Sequence, residues 1–301
     1  MRNVATMPNP CLARPIARLR LPLVAALLCA CSAAENRTRA WARSPHWQGA
    51  ATAPQDPASD AHHDGWFTRT LRTVVADHEA FYDTGTMLAL GAGVGLAGLS
   101  ANTQLDRDIY EDVLPEWRTE EWDEFRDNVV PFGDGAYVLP VLATTSLLAP
   151  ALGGEIVGEW GERSLRAILV GAPPVLALQR LTGGGRPDDP ANTTSSEWEP
   201  FDHSNGVSGH AFIGAVPFLT IAAMQENVWI DGVCYVGSTA VAAARLQGFR
   251  HYFSQVVLGW FLGYLAVDAV SDSGRSPDGR GTSIEPLVGE DGVAVFVVHR
   301  F

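Results

Sequence analysis

The sequence contains no lysine, few cysteines and little charge of either sign. Charged residues make up 18% of the 301 residues, below the roughly 25% of ordinary soluble domains. Acidic residues outnumber basic ones by 34 to 21, which gives a net charge of −13. Because nucleic-acid binding requires a basic surface, this balance argues against a nucleic-acid partner. It also argues against docking on anionic lipid headgroups through charge alone.

Cysteine is concentrated at the start of the chain. Three of the four cysteines, Cys11, Cys29 and Cys31, lie in the first 31 residues. The rest of the chain keeps only Cys234, so an internal disulfide is excluded there, as is any zinc site of cysteine spacing.

Residues 1–34 are typical of an export signal. Several arginines precede an apolar core from Leu21 to Ala30, which is too short to span a bilayer. Three outcomes stay open: lipidation of Cys31, cleavage near Ala33, or an uncleaved anchor. Residues 35–64 are rich in Ala, Pro, Asp, His and Ser without a period, which predicts a disordered linker.

The body of the chain, residues 65–270, is predicted to be helical. A first amphipathic helix is expected near residues 65–83. Six apolar stretches of membrane-marginal length follow, at about 84–101, 136–152, 164–181, 209–224, 228–244 and 254–270. The mean hydropathy of +0.04 keeps a soluble helical bundle open as the alternative to transmembrane helices.

Two further segments complete the predicted organisation. The acidic stretch 105–130 contains interleaved tryptophans and predicts one or two amphipathic helices, whose carboxylates are best interpreted as a solvated face. Residues 271–301 form a linker followed by a β-hairpin, from Ser283 to Val288 and from Val293 to Phe301.

Three short polar segments lie at the ends of apolar stretches. They are Gln179 to Pro187, Val207 to His210, and Ala244 to Gln255. Because antiparallel helices joined by loops alternate their ends, the end of the third stretch, the start of the fourth and the end of the fifth share one face of the bundle. Two arginines, two histidines and a Ser-Gly turn are therefore expected to converge.

This set suits phosphoryl chemistry. Arg186 and Arg245 supply planar donor forks that match phosphate oxygens. Ser208 and Gly209 precede a helix, whose N-terminal amides favour an anion. One histidine can attack phosphorus while a second protonates the leaving oxygen.

The segments resemble the three motifs of the type 2 phosphatidic acid phosphatase and vanadium haloperoxidase superfamily. Those motifs are Lys, six residues, Arg-Pro; Pro-Ser-Gly-His; and Ser-Arg, five residues, His, three residues, Asp. Arg186-Pro187, Ser208-Gly209-His210, Arg245 and His251 match with the family's spacing. The resemblance implies an all-α fold, a six-helix, transmembrane bundle of the acid phosphatase/vanadium-dependent haloperoxidase type, here with a C-terminal β-hairpin.

The resemblance also implies residue roles. His251 would be the nucleophile that forms a phosphohistidine, and His210 the acid for the leaving group. Arg186, Arg245, Ser208 and the Gly209 amide would bind the phosphate. No metal and no cofactor is expected. The substrate would be a phosphorylated lipid or small phosphoester, and the membrane the other partner.

Two positions depart from the family pattern in ways that affect charge. Gln179 stands at the lysine position, and Gln255 stands where the family has the aspartate that orients the nucleophile. A neutral amide can accept a hydrogen bond from the histidine, but it cannot stabilise imidazolium by charge. Either glutamine can also be a plain packing residue. Milder departures are Val207 for proline and Ala244 for serine.

Three functions remain open from the sequence. The first is a metal-independent phosphatase, acting on a phosphomonoester or diphosphate that is lipid-linked and working with weakened activity. The alternative is a catalytically inactive phosphate- or lipid-binding envelope protein. A vanadate-dependent haloperoxidase is disfavoured by the short export-type chain.

The expected location is the bacterial cell envelope, membrane-associated, on the periplasmic or outer face. Six spans counted from a cleaved signal would put the catalytic end in the cytoplasm. Either the N-terminus stays inside, or one stretch does not span, or the body is an exported bundle that does not span.

Overall fold

The computed structural model describes residues 66–188 and 196–273, together with the backbone of 281–289 and 292–300. The predicted signal segment 1–34 and linker 35–64 lie outside the described residues. The described part is mostly helical, which agrees with the predicted all-α class.

The α-helices are, in chain order, α1 (Trp66–Phe81), α2 (Thr84–Ala101), α3 (Gln104–Asp108), α4 (Glu120–Val129), α5 (Gly135–Leu148), α6 (Glu155–Thr182), α7 (Gly209–Ala223), α8 (Val228–Ser238), α9 (Ala240–Gln247) and α10 (Phe253–Ser273). A π-helical turn and a 3₁₀ turn join α3 to α4, at Ile109–Val113 and Leu114–Trp117. Further 3₁₀ turns flank α5, at Val130–Gly133 and Pro150–Leu152. Strands β1 (Gly281–Gly289) and β2 (Gly292–Arg300) pair antiparallel, with Gly281 opposite Arg300.

Helix α10 is the centre of the bundle and packs against α1, α2, α6 and α7. Most of its residues are apolar and buried, the pattern of a core helix, and it also carries buried polar residues such as Gln255 and Asp268. At a close contact with the start of α7, a Cβ on Gly259 would lie 2.3 Å from the carbonyl oxygen of Ser208. Only glycine therefore fits at this contact, which sets the start of α7 directly against α10.

A buried ion pair fastens α1 to the bundle. Arg166 of α6 donates two hydrogen bonds to Asp77 of α1, at 2.7 and 2.6 Å. The hydroxyl of Ser273, at the end of α10, also donates to Asp77. The pair therefore ties α1, α6 and α10 together at the C-terminal end of α10. His251 precedes the opposite end of that helix.

The fifth predicted stretch, 228–244, is two helices rather than one. The break falls at Thr239, where hydroxyl groups compete for carbonyls in the last turn of α8. Thr239 Oγ1 donates to the Val236 carbonyl at 2.8 Å, and Ser238 Oγ donates to the Tyr235 carbonyl at 2.6 Å. Ser238 Oγ also accepts from the indole of Trp260 at 2.8 Å, which fixes the break against α10.

Two helices in the described part of the chain are long and apolar enough to cross a membrane, namely α2 and α10. Of the α10 window, 83% is buried inside the bundle, as in a core helix, whereas only 28% of α2 is buried. Helices α5 and α7 are apolar but shorter. Membrane association is thus weakly indicated, and the six predicted spans stay a prediction.

Candidate active site

The three motif segments are joined to one another by hydrogen bonds. Gln255 Nε2 donates to the Gly185 carbonyl at 2.8 Å, which links the third segment to the first. The Ser208 amide donates to the Gln255 carbonyl at 2.9 Å, which links the second to the third. Gln179 Nε2 donates to the Val207 carbonyl at 3.0 Å, which links the first to the second. The predicted convergence at one end of the bundle is therefore present in the structure.

His251 is buried, with 4% of its surface exposed. Its Nδ1 lies 2.9 Å from Gln255 Oε1. The same oxygen accepts from the Tyr252 amide at 3.2 Å, and Gln255 Nε2 faces the Gly185 carbonyl. The Tyr252 amide faces one end of the Gln255 side-chain amide and the Gly185 carbonyl faces the other. The positions of the Gln255 oxygen and nitrogen are therefore fixed. Nδ1 of His251 must then carry the proton, which leaves the lone pair on Nε2.

The pKa of His251 is lowered from 6.5 to about 3. Burial is the main cause, because it disfavours the charged imidazolium. The hydrogen bond to Gln255 acts in the opposite direction, and the charges of Arg245, Arg186 and His210 lower the pKa further. His251 is therefore a neutral imidazole near neutral pH, the form in which a histidine is nucleophilic.

His210 is the second residue of α7 and is half-buried. Its pKa is lowered, first by burial, then by the charge of Arg245, and more weakly by Arg186. Asp134 opposes this shift. The 3₁₀ turn before Asp134 packs on the backbone of His210, since a Cβ on Gly133 would lie 2.6 Å from the His210 carbonyl oxygen.

The two predicted phosphate-binding arginines are held differently. Arg186 Nε donates to Asn205 Oδ1 at 2.7 Å, which orients its guanidinium. The Nε of Arg245 is buried and has no hydrogen-bond acceptor among the described residues. Burial and the charges of Arg186 and Arg250 lower the pKa of Arg245 to about 10, against the opposing charge of Asp188. Positive charges so placed, with a buried donor left over, favour a bound anion.

Ser208 caps the start of α7. Its Oγ accepts from the Ala211 amide at 3.3 Å, and the residue is fully buried. The first amides of a helix have no partner within the helix. Those of Gly209 and His210 are next to this cap, where the helix end is positive. The structure thus gives Ser208 a structural task in addition to the role that its motif predicts.

Three glycines carry the chain across the site. Gly183 has a φ of 61°, and a Cβ there would lie 1.7 Å from the Glu199 carbonyl oxygen. A Cβ on Gly184 would lie 3.0 Å from both Gln255 Nε2 and the Cα of Gly206. The loop therefore passes close to both Gln255 and Gly206, and a side chain at Gly184 would require its neighbours to shift.

Gln179 holds the 207–209 turn rather than supplying charge. Besides its bond to Val207, its Nε2 would lie 3.6 Å from a Cβ on Gly209. The neighbouring Arg180 is exposed. The amide therefore positions the start of α7 where the family's lysine would add a cation.

Asp106 anchors the start of α10 and was not singled out by the sequence, which offered it as one of many solvated carboxylates. It is fully buried, and it accepts from the Ser254 amide at 3.0 Å, the Ser254 hydroxyl at 2.6 Å and the Ser100 hydroxyl at 2.7 Å. Burial raises the pKa of Asp106, and these hydrogen bonds oppose the rise. Asp106 thereby fixes the residues that follow His251.

Asn205 and Arg250 are two more polar residues near the site that sequence reasoning missed. The side chain of Asn205 orients Arg186, and the backbone amide of Asn205 donates to the Gly184 carbonyl at 3.0 Å. Arg250 directly precedes His251 and pairs with Asp188 at 2.5 Å. Nothing in the motif spacing marks either residue, because both act through loops whose approach depends on the fold.

No metal centre is seen in the part of the chain that the structure describes: no group of three His, Cys, Asp or Glu side chains there is placed to hold a metal ion. The polar groups around His251 are instead guanidinium, imidazole and amide. These are donors for an anion.

The PAP2 superfamily matches residues 165–272, from within α6 to the last turn of α10. The matched range contains all three motif segments, and it confirms the resemblance drawn from them. No curated protein and no solved structure matches the chain.

Proposed function

We propose, from the PAP2 superfamily match over residues 165–272, that this chain is a phosphatase acting through a phosphohistidine on a lipid-linked phosphomonoester or diphosphate. Phosphatase-type activity is what the family membership indicates. The observation that carries the finer proposal is the hydrogen bond from His251 Nδ1–H to Gln255 Oε1, which leaves the Nε2 lone pair available within a cluster of arginines.

The proposed first step is transfer of the phosphoryl group to His251. Arg186, Arg245, the Ser208 hydroxyl and the Gly209 amide bind the phosphate oxygens. The Nε2 lone pair forms a bond to phosphorus while the bond from phosphorus to the leaving oxygen breaks. His210 gives its proton to that oxygen.

Hydrolysis of the intermediate is the second step. His210, now neutral, takes a proton from a water molecule as the water oxygen bonds to phosphorus. The N–P bond breaks, and its electron pair returns to Nε2 of His251. Inorganic phosphate leaves, and both histidines regain their starting protonation states.

Gln255 supports this cycle by orientation and not by charge. In serine proteases, replacing the orienting aspartate with asparagine costs about 10⁴ in turnover because the histidine takes the wrong tautomer. Here the amide presents its oxygen to Nδ1, so the productive tautomer is kept. What is missing is the negative charge that would stabilise the phosphoimidazolium. We therefore expect weakened rather than absent activity.

Exposed apolar side chains support a lipid-linked substrate and a membrane setting. Trp229 of α8 is 82% exposed and Leu152, after α5, is 85% exposed. Many other large apolar side chains on α5, α6 and α8 are also exposed. Extended apolar surface of this kind marks contact with a membrane or another apolar partner. The cell envelope, at its periplasmic or outer face, is the proposed location.

The second candidate is a phosphate- or lipid-binding envelope protein without catalysis. It is favoured by the two neutral side chains, Gln179 and Gln255, at positions where the family is charged. In that case the arginine cluster would bind an anion, and His251 would remain unmodified.

Phosphate release from phosphatidic acid, a prenyl diphosphate and p-nitrophenyl phosphate tests the proposal. His251→Ala should abolish release, and Gln255→Asp should raise it, because the charge restored beside the imidazole outweighs the lost hydrogen bond to the Gly185 carbonyl. His78→Ala, on α1, is the matched histidine control and should behave as wild type. Release of phosphate by none of the proteins would refute the phosphatase and leave the binding candidate.

A further inference from the structure

Arg250 forms an ion pair across two loops of the site. Its Nη1 lies 2.5 Å from Asp188 Oδ2. Arg250 directly precedes His251, and Asp188 comes two residues after Arg186. The side chains are partly open to solvent, with 53% of Arg250 and 29% of Asp188 exposed. The pair is therefore partly accessible to solvent, whereas His251 is buried.

The two inner arginines are in the electrostatic field of this outer pair. The charges of Arg186 and Arg250 both lower the pKa of Arg245, and the charge of Asp188 raises it. Three guanidinium groups thus lie close enough to interact, and Asp188 offsets their charge at Arg245. In the proposed mechanism Arg186 and Arg245 bind one phosphoryl group, which leaves Arg250 as an additional, more exposed cation.

The backbone holds Arg250 in place through a helix end that contains a strained, left-handed residue. The Arg250 amide donates to the Arg245 carbonyl at 3.1 Å, and the Phe249 amide donates to the Leu246 carbonyl at 2.9 Å. This is the Schellman pattern that ends a helix, and its left-handed residue is normally glycine. Here it is Phe249, with a φ of 53°.

Packing keeps Phe249 in that conformation. Its ring lies edge-on to Tyr110 with centroids 5.2 Å apart, and the guanidinium of Arg118 lies 3.8 Å from its centroid. Left-handed non-glycine residues cost about 1–3 kcal/mol and cluster at functional sites. An ordinary surface ion pair contributes about 0–1 kcal/mol and needs no such backbone. If the contact with Asp188 were only an ordinary surface ion pair, the strained backbone that fixes Arg250 would have no explanation.

We propose that Arg250 binds the leaving phosphate of a diphosphate substrate, so that the site favours phosphoanhydrides over simple phosphomonoesters. This inference rests on the proposed phosphatase function and names its substrate class. The terminal phosphoryl group lies between Arg186 and Arg245, and the second phosphate reaches outward to Arg250 and displaces Asp188 from it.

The bond changes are those of an anhydride cleavage. His251 Nε2 bonds to the terminal phosphorus, the bond from that phosphorus to the bridging oxygen breaks, and its electron pair stays on the bridging oxygen. The leaving group is a phosphomonoester, whose added charge Arg250 neutralises. A water oxygen then bonds to phosphorus as its proton passes to His210, the electron pair of the N–P bond returns to Nε2, and inorganic phosphate leaves. His210 afterwards gives the proton to solvent.

The acid–base properties of His210 agree with a diphosphate substrate. A leaving alkoxide needs a proton, whereas a leaving phosphate is a far weaker base. Burial and the nearby arginines lower the pKa of His210, so less of it carries a proton near neutral pH. A substrate whose leaving group depends little on that proton suits the site better.

Binding of inorganic pyrophosphate and inorganic phosphate to the full-length protein, measured by titration calorimetry, tests the role of Arg250 without relying on turnover. In Arg250→Gln, pyrophosphate affinity should fall by about tenfold, the effect of losing one charge-assisted hydrogen bond, while phosphate affinity stays within about twofold. Arg180→Gln removes a positive charge from an exposed site at the end of α6 and should change neither affinity.

Hydrolysis of an alkyl diphosphate and the matching alkyl monophosphate completes the test. Arg250→Gln should lower kcat/KM for the diphosphate by about tenfold and leave the monophosphate value within about twofold. Equal losses for both ligands and both substrates, or no loss of pyrophosphate affinity, would overturn the inference. If wild-type protein hydrolyses neither substrate but binds pyrophosphate through Arg250, the phosphatase proposal fails and the anion site stands.

Discussion

The acid limb of the activity profile should lie far below that of an ordinary histidine nucleophile. Catalysis requires neutral His251, whose pKa is lowered to about 3. At pH 5 a histidine with a pKa of 6.5 is about 97% protonated, whereas His251 would be only about 1% protonated. The rate should therefore hold as the pH falls through 6 and 5, and it should decline only below about pH 4.

The opposite limb belongs to His210, which must be protonated to act as an acid. Its pKa is below 6.5, so turnover of a monoester should fall as the pH rises through that lowered pKa. The expected profile is a bell on the acid side of neutrality. Asp134→Asn removes the charge that raises the pKa of His210 and should move this limb to lower pH. Asparagine keeps the helix cap that Asp134 provides to α5 at 2.9 Å.

The assay is kcat for p-nitrophenyl phosphate between about pH 3 and 9, with His251 and His210 followed by ¹⁵N NMR of labelled imidazoles. Glu124→Gln is the charge control, because Glu124 is exposed on the neighbouring helix α4. Circular dichroism at each pH must show a folded protein. A buried neutral histidine destabilises the fold progressively as the pH falls from 6.5 towards its folded pKa. An acid limb near pH 6.5 in the folded protein would refute the assignment of His251 as a desolvated nucleophile.

Three further substitutions test the packing that positions the site. Gly184→Ala should lower turnover by about tenfold with little loss of thermal stability, since its Cβ would press on Gln255 Nε2 at 3.0 Å. Arg166→Ala should cost about 3–5 kcal/mol in the free energy of unfolding by chemical denaturation, since it leaves the buried carboxylate of Asp77 without its cation. Phe249→Gly should relieve about 1 kcal/mol of backbone strain but lose ring packing worth more, so the melting temperature should fall. An unchanged turnover rate in Gly184→Ala, an unchanged free energy of unfolding in Arg166→Ala, or an unchanged melting temperature in Phe249→Gly would contradict the corresponding prediction.

The convergence of the motifs was predictable because it follows from local rules and from chain direction. Each motif sits at the end of an apolar stretch, and helices that alternate direction bring every second end together. Arg186, His210 and His251 could thus be assigned to one end of the bundle from sequence alone. The family match over residues 165–272 covers all three motif segments.

The partners of those residues were not predictable in the same way. The contact of Asn205 with Arg186, and that of Asp106 with Ser254, join segments 19 and 148 residues apart in the chain. Their geometry depends on how whole helices pack, and no local pattern encodes it. The break at Thr239 was missed for a related reason, since hydroxyl competition for carbonyls is invisible to hydropathy.

Gln255 shows how a substitution that looks inactivating can leave the geometry of a site intact. Its oxygen accepts from both the imidazole and the Tyr252 amide, and its nitrogen donates to Gly185. A carboxylate at this position would gain charge but lose the donor that holds the glycine loop. Orientation and charge are therefore separable contributions here. Because orientation is retained while charge is lost, the expected effect is weaker stabilisation of the cationic phosphoimidazolium intermediate. That effect is smallest for a substrate with a weakly basic leaving group, which is also the class that the proposed role of Arg250 favours.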